Sequence, residues 1–209
     1  MSGVAPRGAT IVIAANDADG WGDDGIWRST DTGATWDQIS GGLGTGLPAG
    51  ESYDLVGDPG DDTQLFTNAG GNGIYRSDDH GDHWVEITSN LPSDFGYAVV
   101  CDPEDPDTVY QAPVAGSHLR TAPGGRLSVF RTRDAGGSWE SVSHGLPAEH
   151  VYVTVLREAM DVFPGQPASL CLGTSGGQVF TSPDGGESWS LARAYLPRVL
   201  SVRMLEIPA

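Results

Sequence analysis

The segment between residues 150 and 161 holds the side chains whose types and spacing are best suited to chemistry. Glu158 and Asp161 are carboxylates that lie close together in sequence, and His150, Tyr152 and Arg157 surround them. Two carboxylates that face a sugar can supply the acid and the base, or the acid and the nucleophile, of glycoside hydrolysis. We therefore predict Glu158 and Asp161 as catalytic residues and the three neighbouring side chains as binding residues.

A fourth candidate binding residue, Arg120, lies in an insertion at residues 112–126 that is rich in glycine and proline. A cation on such a loop can hold an acidic sugar or another carboxylate. Each of these assignments has a structural alternative, since the insertion can be a solvated loop and Arg157 with Glu158 can be a surface ion pair. Asp94 is an alternative partner for Glu158 in a catalytic pair.

The charge of the chain narrows the choice of partner. Its 209 residues include 11 arginines, no lysine and 28 acidic residues, and the formal charge is −17. Nucleic acids and anionic membranes bind cationic surfaces, so we expect neither as a partner. The apolar runs are too short to cross a membrane and the N-terminal stretch makes a poor signal peptide, so we expect a cytoplasmic protein.

We expect no cofactor and no metal ion. The acidic run at residues 17–24 lacks the ligand spacing of a calcium-binding loop, and the histidines are too scattered for a zinc site. No glycine-rich phosphate loop follows a strand in this sequence.

A short motif recurs four times and defines the elements that must position these residues. Each copy, here called a box, reads Ser/Thr-x-Asp-x-Gly-x-x-Trp; the boxes are residues 29–36, 77–84, 132–139 and 182–189. Successive tryptophans are about 50 residues apart, which is the length of a four-stranded propeller blade. The repeated aspartates and tryptophans are Asp31, Asp79, Asp134, Asp184, Trp36, Trp84, Trp139 and Trp189.

The box predicts a turn between two strands. An aspartate carboxylate can accept backbone N–H groups within a turn, glycine can adopt a positive φ, and the tryptophan can pack on neighbouring strands. One active site cannot need four equivalent copies around a ring. We therefore predict that the box aspartates and tryptophans are structural rather than catalytic.

The flanks of the boxes repeat as well. An alternating strand precedes each box, and a Leu-Pro pair followed by an apolar strand comes after it; the predicted leading strands are 10–15, 64–68, 108–112 and 169–173. Helical periodicity is nearly absent, although residues 156–162 fit one helical turn. The pattern predicts one all-β domain at residues 1–209, a β-propeller of four antiparallel four-stranded blades.

The two ends of the chain allow more than one way of closing this ring. We expect the chain to open on a second strand, at residues 9–15, and to close on residues 198–207, which would supply the inner strand of blade one. That arrangement removes the exposed edges of an incomplete ring. The alternatives are a homodimer that completes a larger ring and a partial larger propeller.

These residues resemble the Asp-box, or BNR, repeats of sialidases, sortilins and xyloglucanases, which are β-propellers. The likeness is greatest to bacterial BNR-like proteins labelled glycosyl hydrolases or exo-sialidases. It is carried by Gly-Ile-Tyr-Arg-Ser-Asp-Asp, Val-Phe-Arg-Thr-Arg-Asp, Tyr-Val-Thr-Val-Leu-Arg-Glu-Ala-Met and Leu-Pro-Arg-Val-Leu-Ser-Val, at residues 73–79, 129–134, 152–160 and 196–202.

The resemblance implies either a glycan- or protein-binding scaffold or a glycoside hydrolase. Sialidases of this kind use three arginines on a substrate carboxylate, a tyrosine nucleophile assisted by a glutamate, and an aspartate acid. No spacing in this sequence singles out such a triad among the arginines outside the repeat, which include Arg120, Arg126, Arg157, Arg193, Arg198 and Arg203. We expect a binding scaffold, with a hydrolase that uses inner-strand carboxylates as the alternative.

Overall fold

The computed structural model describes residues 3–15, 24–41, 44–50, 54–58, 60–69, 72–88, 90–93, 95–116 and 118–206. The chain divides into two compact units, residues 1–89 and 90–209, and each is considered by itself. In the described residues the secondary structure is strand, apart from one 3₁₀ turn at Pro123–Gly125.

The first unit contains two antiparallel four-stranded sheets in sequential order. Alternation of buried and half-buried residues, as in Thr10–Ala15, produces the strands. The first sheet contains β1 Gly3–Arg7, β2 Thr10–Ala15, β3 Gly25–Ser29 and β4 Asp37–Gln38. The second contains β5 Leu55–Gly57, β6 Leu65–Ala69, β7 Asn72–Ser77 and β8 Val85–Glu86.

The second unit repeats this plan with two further antiparallel four-stranded sheets. The third sheet contains β9 Gly96–Cys101, β10 Val109–Pro113, β11 Phe130–Thr132 and β12 Glu140–Ser141. The fourth contains β13 Val155–Phe163, β14 Ser169–Thr174, β15 Val179–Ser182 and β16 Ser190–Arg193. The four sheets confirm the predicted fold class, and β2, β6, β10 and β14 start within one residue of the predicted leading strands.

Two expectations about strands are wrong. The inner strand of the first sheet is β1, which pairs with β2 from Gly3 with Ala14 to Arg7 with Thr10, so residues 198–207 do not supply it. A hairpin between adjacent segments needs only the short turn at Gly8, whose φ is +65°, and closes at little entropic cost. Residues 156–162 form no helical turn, because they belong to β13.

Each box forms the same hydrogen-bonded turn. In the first box the Ser29 hydroxyl donates to Asp31 Oδ1 at 2.8 Å and accepts the N–H of Gly33 at 2.8 Å. The N–H of Thr35 then donates to Asp31 Oδ1 at 2.8 Å. The other three boxes repeat these bonds at 2.7–2.9 Å. The carboxylate of each box aspartate is therefore occupied by its own turn.

The box tryptophan joins consecutive sheets within a unit. The backbone N–H of Trp84 donates to the Thr45 carbonyl at 2.7 Å, and the backbone N–H of Trp189 donates to the His144 carbonyl at 2.8 Å. The next residue is glycine both times, and a Cβ on Gly46 or Gly145 would lie 2.2 Å from the tryptophan carbonyl oxygen. Only a residue without a side chain fits this contact.

An ion pair makes a second connection between consecutive sheets in each unit. Arg28 pairs with Asp82 in the first unit, and Arg131 Nη2 lies 2.7 Å from Glu187 Oε1 in the second. Arginine precedes the box hydroxyl in both cases, and the acid occupies the same place in the following box. Consecutive sheets are thus connected by a backbone hydrogen bond and a charged pair.

The tryptophans are buried to different extents, which predicts unequal costs of removing them. Trp189 is 4% exposed and Trp36 is 36% exposed. We expect Trp189→Ala to lower the free energy of unfolding by about 3–5 kcal/mol, because it leaves a cavity in the core. Trp36→Ala should cost less than about 1.5 kcal/mol. Urea denaturation of both variants measures the difference, and equal losses would contradict this packing.

The box carboxylates also predict acid sensitivity. The pKa of Asp31 is lowered to about 2 by hydrogen bonds from the N–H and hydroxyl of Thr35 and from the Ser29 hydroxyl. The hydroxyl and N–H of Ser188 likewise lower the pKa of Asp184. An unfolded aspartate titrates near 3.9, so the boxes contribute stability above about pH 4 that is lost as the pH falls toward 2.

We therefore expect Asp31→Asn to be less stable than wild type at pH 7 and to approach wild-type stability near pH 2. The control is Glu149→Gln, which changes an exposed carboxylate outside the boxes. Urea denaturation at the two pH values measures the effect, and the ¹³C shift of the Asp31 carboxyl should titrate with a midpoint near 2. A pH-independent stability difference for Asp31→Asn would contradict the assignment.

Candidate functional site

The second unit contains a cleft of about 450 Å³ in which arginines from separate segments converge. We call it the arginine cleft. Its lining residues are Tyr97, Arg120, Thr154, Leu156, Arg157, Glu158, Ser175, Arg198 and Leu200.

A bulge in β13 presents Arg157 and Glu158 to this cleft. Val155 pairs with Thr174, but the next pair along the strand is Met160 with Leu172, so residues 156–159 fall outside the regular register. Arg157 and Glu158 are exposed, whereas Ala159 and Met160 return to the core. Bulges redirect side chains in this way and are common beside functional sites. The segment that breaks the sequence repeat is therefore the segment that breaks the sheet.

The insertion after β10 positions Arg120. The N–H of Val114 donates to the Phe95 carbonyl at 2.7 Å, and the N–H of Ala122 donates to the Val153 carbonyl at 2.8 Å, so both ends of the loop are fixed. The guanidinium carbon of Arg120 lies 6.0 Å from the centre of the Tyr97 ring. That distance is within the range of a cation–π interaction. One face of Tyr97 is thus occupied by Arg120.

Residues 198–206 form the last wall of the cleft and contribute Arg198 and Leu200. This segment lies along the bulged part of β13, where Ser201 makes a parallel bridge with Glu158. The N–H of Val202 donates to the Glu158 carbonyl at 2.9 Å, and the N–H of Met204 donates to Asp161 Oδ2 at 2.7 Å. The Glu158 carboxylate pairs with Arg203.

The charge in the cleft is opposite to that of the chain. Three arginines and one carboxylate line it, and that carboxylate, Glu158, also pairs with Arg203. A local group of cations in a chain of net charge −17 creates a potential that attracts anions to one place. Arginine guanidinium groups suit carboxylates, which accept two parallel hydrogen bonds. The arrangement is suited to binding a ligand that carries carboxylates.

The predicted site residues do not all meet in this cleft. Arg120 and Arg157, predicted as binding residues, and Glu158, predicted as catalytic, all line it. Asp161 is not among the lining residues, because its carboxylate accepts the Met204 N–H. The remaining predicted residues, Tyr152 and His150, are exposed and do not line the cleft.

Sequence reasoning did not single out Tyr97 or Leu200, and it included Arg198 only among several arginines. Tyr97 occupies a position where other repeats also carry tyrosine, so its type gave no signal of a site. Asp94, the alternative catalytic carboxylate, lies outside the described residues. Among the described residues, one carboxylate lines the cleft. Hydrolysis through two carboxylates would need a second one across the ligand.

A larger cleft, of about 530 Å³, lies beside Arg131 and is lined by more carboxylates than arginines, so it does not favour an anionic ligand. Arg131 is 3% exposed and donates to Glu140, to Glu187 and to the Gly185 carbonyl. Burial alone would lower the pKa of Arg131, but the hydrogen bonds that it donates to Glu187 and Glu140 raise it. This cleft serves the contact between the third and fourth sheets.

The described residues contain neither a metal-binding cluster nor a helix that could span a membrane. Within them, no cluster of three or more histidine, cysteine, aspartate or glutamate side chains could hold a metal ion. In that part of the chain no helix has the length and apolar character needed to cross a membrane. Most of the acidic run at residues 17–24 lies outside the described ranges.

No protein-family profile matches the chain, and no curated protein does. Solved structures do match. The GH74 xyloglucanase from Xanthomonas campestris is 20% identical over 90% of this chain and 29% of its own length, with a TM-score of 0.51. The GH74 enzyme of Niastella koreensis is 19% identical over 92% of this chain and 30% of its own, with a TM-score of 0.50.

A third match, YCF48 bound to D1 peptide, is 16% identical over 91% of this chain and 65% of its own, with a TM-score of 0.33. The chain spans less than a third of the length of the two GH74 enzymes. The two GH74 enzymes are β-propellers, and the likeness to them supports the assignment of the four sheets as propeller blades.

Arg131 is buried and Arg133 is exposed, and this difference allows a test of the cleft beside Arg131. We expect Arg131→Met to destabilise the protein by about 2 kcal/mol, because it removes charged hydrogen bonds between two sheets. Arg133 is 61% exposed, and Arg133→Met should cost less than about 0.5 kcal/mol. Urea denaturation compares the two. If Arg131→Met were as stable as wild type, the cleft would not have the structural role described.

Proposed function

We propose that this chain is a propeller scaffold that binds an anionic, carboxylate-bearing ligand in the arginine cleft. The observation that carries the proposal is the convergence of Arg120, Arg157 and Arg198 in one cleft of a chain that has 11 arginines, no lysine and a net charge of −17. These arginines come from an insertion, a bulge and an extended segment. Irregular segments on a rigid scaffold are typical of binding sites.

The surroundings of the arginines favour a polypeptide over a glycan. Leu119 is 72% exposed beside Arg120, and Leu200 is 64% exposed in the lining. Exposed apolar side chains next to cations suit a ligand that carries both carboxylates and aliphatic groups. Tyr97 is the aromatic side chain of the lining on which a sugar could stack, and one of its faces is partly covered by Arg120. We therefore propose an acidic polypeptide segment with flanking apolar residues as the ligand.

A glycoside hydrolase is the alternative that the family resemblance implies. The GH74 neighbours are about one-fifth identical to this chain, and a likeness at that level supports the fold alone. The single carboxylate that lines the cleft among the described residues pairs with Arg203. A binding function requires fewer additional assumptions than catalysis does.

The test is equilibrium binding to fluorescein-labelled probes that differ in one property at a time. One peptide carries glutamates flanked by leucines, a second carries the same glutamates flanked by serines, and a third probe is an oligogalacturonate. We expect the first to bind most tightly, the affinity to fall as salt is raised, and Arg157→Gln or Arg198→Gln to weaken binding at least about fivefold.

Arg193→Gln is the matched control, because Arg193 is exposed on β16 and does not line the cleft. Tightest binding to the oligogalacturonate would make the ligand an acidic glycan instead. The absence of binding to every probe, or equal loss in Arg193→Gln and Arg157→Gln, would overturn the proposed function. Release of sugar from xyloglucan that is abolished in Glu158→Gln would favour the hydrolase.

A further inference from the structure

We propose that Asp161 is a positioning residue, which holds residues 198–206 along β13 so that Arg198 stands in the arginine cleft. A ligand in the cleft would in turn stabilise the docking of that segment. The inference rests on the proposed anion-binding function and assigns to Asp161 a role that does not involve contact with the ligand.

The contacts that hold the segment lie on both sides of its exposed leucine, Leu200. Before it, the N–H of Val199 donates to the Thr174 carbonyl at 3.2 Å. After it, the N–H of Val202 donates to the Glu158 carbonyl at 2.9 Å, and the N–H of Met204 donates to Asp161 Oδ2 at 2.7 Å. Asp161 thus binds the C-terminal part of the segment that carries Arg198.

The segment is otherwise held by the Arg203–Glu158 ion pair and by Val199 and Val202, whose side chains lie beside Gly173. It forms a single bridge, from Ser201 to Glu158, rather than a paired strand. Leu200 is 64% exposed and Leu205 is 81% exposed, so the segment buries only part of its apolar surface. Segments with few buried apolar contacts are the first to open locally. Loss of one charged hydrogen bond should therefore change how often this segment is docked.

In this proposal, docking is linked to ligand binding through Arg198, which lines the cleft in the docked arrangement. A ligand that contacts Arg198 binds the docked state more tightly than the open state, and by reciprocity it must favour docking. Asp161 affects affinity only through the population of the docked state. Its contribution should therefore vanish when Arg198 is absent.

The sign of the effect separates positioning from simple electrostatics. Asp161 is an acidic side chain on the strand that lines a cationic cleft. Removing a negative charge strengthens the attraction of the cleft for an anion, so a purely electrostatic role predicts tighter binding in Asp161→Ala. The positioning role predicts weaker binding.

The experiment is a double-mutant cycle with a fluorescein-labelled hexaglutamate peptide as the probe. We expect Asp161→Ala and Arg198→Gln each to weaken binding about fivefold, and the double variant to bind no more weakly than Arg198→Gln. Asp161→Asn, whose amide oxygen can still accept the Met204 N–H, should retain most of the affinity. Glu206→Gln removes an exposed carboxylate from the same segment and should bind at least as tightly as wild type.

Hydrogen exchange provides a readout that does not depend on affinity. The amides of Val202 and Met204 should exchange faster in Asp161→Ala than in wild type, and more slowly in wild type when the peptide is bound. Thermal unfolding of each variant shows whether the rest of the protein remains folded. If Asp161→Ala is unfolded, Asp161→Asn and the effect of peptide on wild-type exchange still test the proposal.

Wild-type or tighter binding by Asp161→Ala, or losses that multiply in the double variant, would overturn the positioning role and leave the arginine cleft intact. Unchanged exchange of the Met204 amide in Asp161→Ala would also overturn it. If the wild-type protein binds neither hexaglutamate nor the leucine-flanked glutamate peptide at low salt, the anion-binding function is overturned, and the coupling with it.

Discussion

The hydrogen bond from a backbone N–H to the box aspartate is the interaction on which the rest of the structure depends. It fixes the four residues that follow the aspartate, and the tryptophan comes directly afterwards. In the second and fourth sheets the backbone N–H of that tryptophan donates to a carbonyl in the loop after the preceding sheet. One local turn therefore sets both the end of a hairpin and the contact between two sheets.

Because the boxes hold the sheets at one end, the inner edge of the fourth sheet is free to depart from the repeat. The bulge at residues 156–159 would disrupt a sheet that relied on uniform pairing along β13. Here β14, β15 and β16 keep their regular order beside it. The scaffold thus tolerates an irregular strand, an inserted loop and an extended segment around one cleft. Rigid repeats combined with variable segments allow one fold to carry different binding sites.

The sequence predicted most of the fold, because the box and its flanking strands depend on interactions between near neighbours. It could not predict the bulge, since residues 156–162 have an apolar spacing that fits a helical turn equally well. It also could not assign the inner strand of the first sheet, where β1 contains a proline that obscures strand character. The cleft was only partly predictable. Arg120 and Arg157 stood out because they interrupt the repeat, but their meeting with Arg198 depends on contacts between segments far apart in sequence.

The close approach of a tryptophan carbonyl to Gly46 and Gly145 has a consequence for blade transplantation. The equivalent position before the second Leu-Pro pair is Asn90, whose side-chain amide donates to the Trp139 carbonyl at 3.4 Å. Before the fourth pair it is Tyr195, which has a φ of +61° and is fully exposed. Tyr195 shares the positive φ of Gly46 and Gly145, so a module grafted after β16 with the same close tryptophan contact would need glycine at this position. The Asn90 junction shows the other solution, in which a side-chain amide contacts the tryptophan carbonyl.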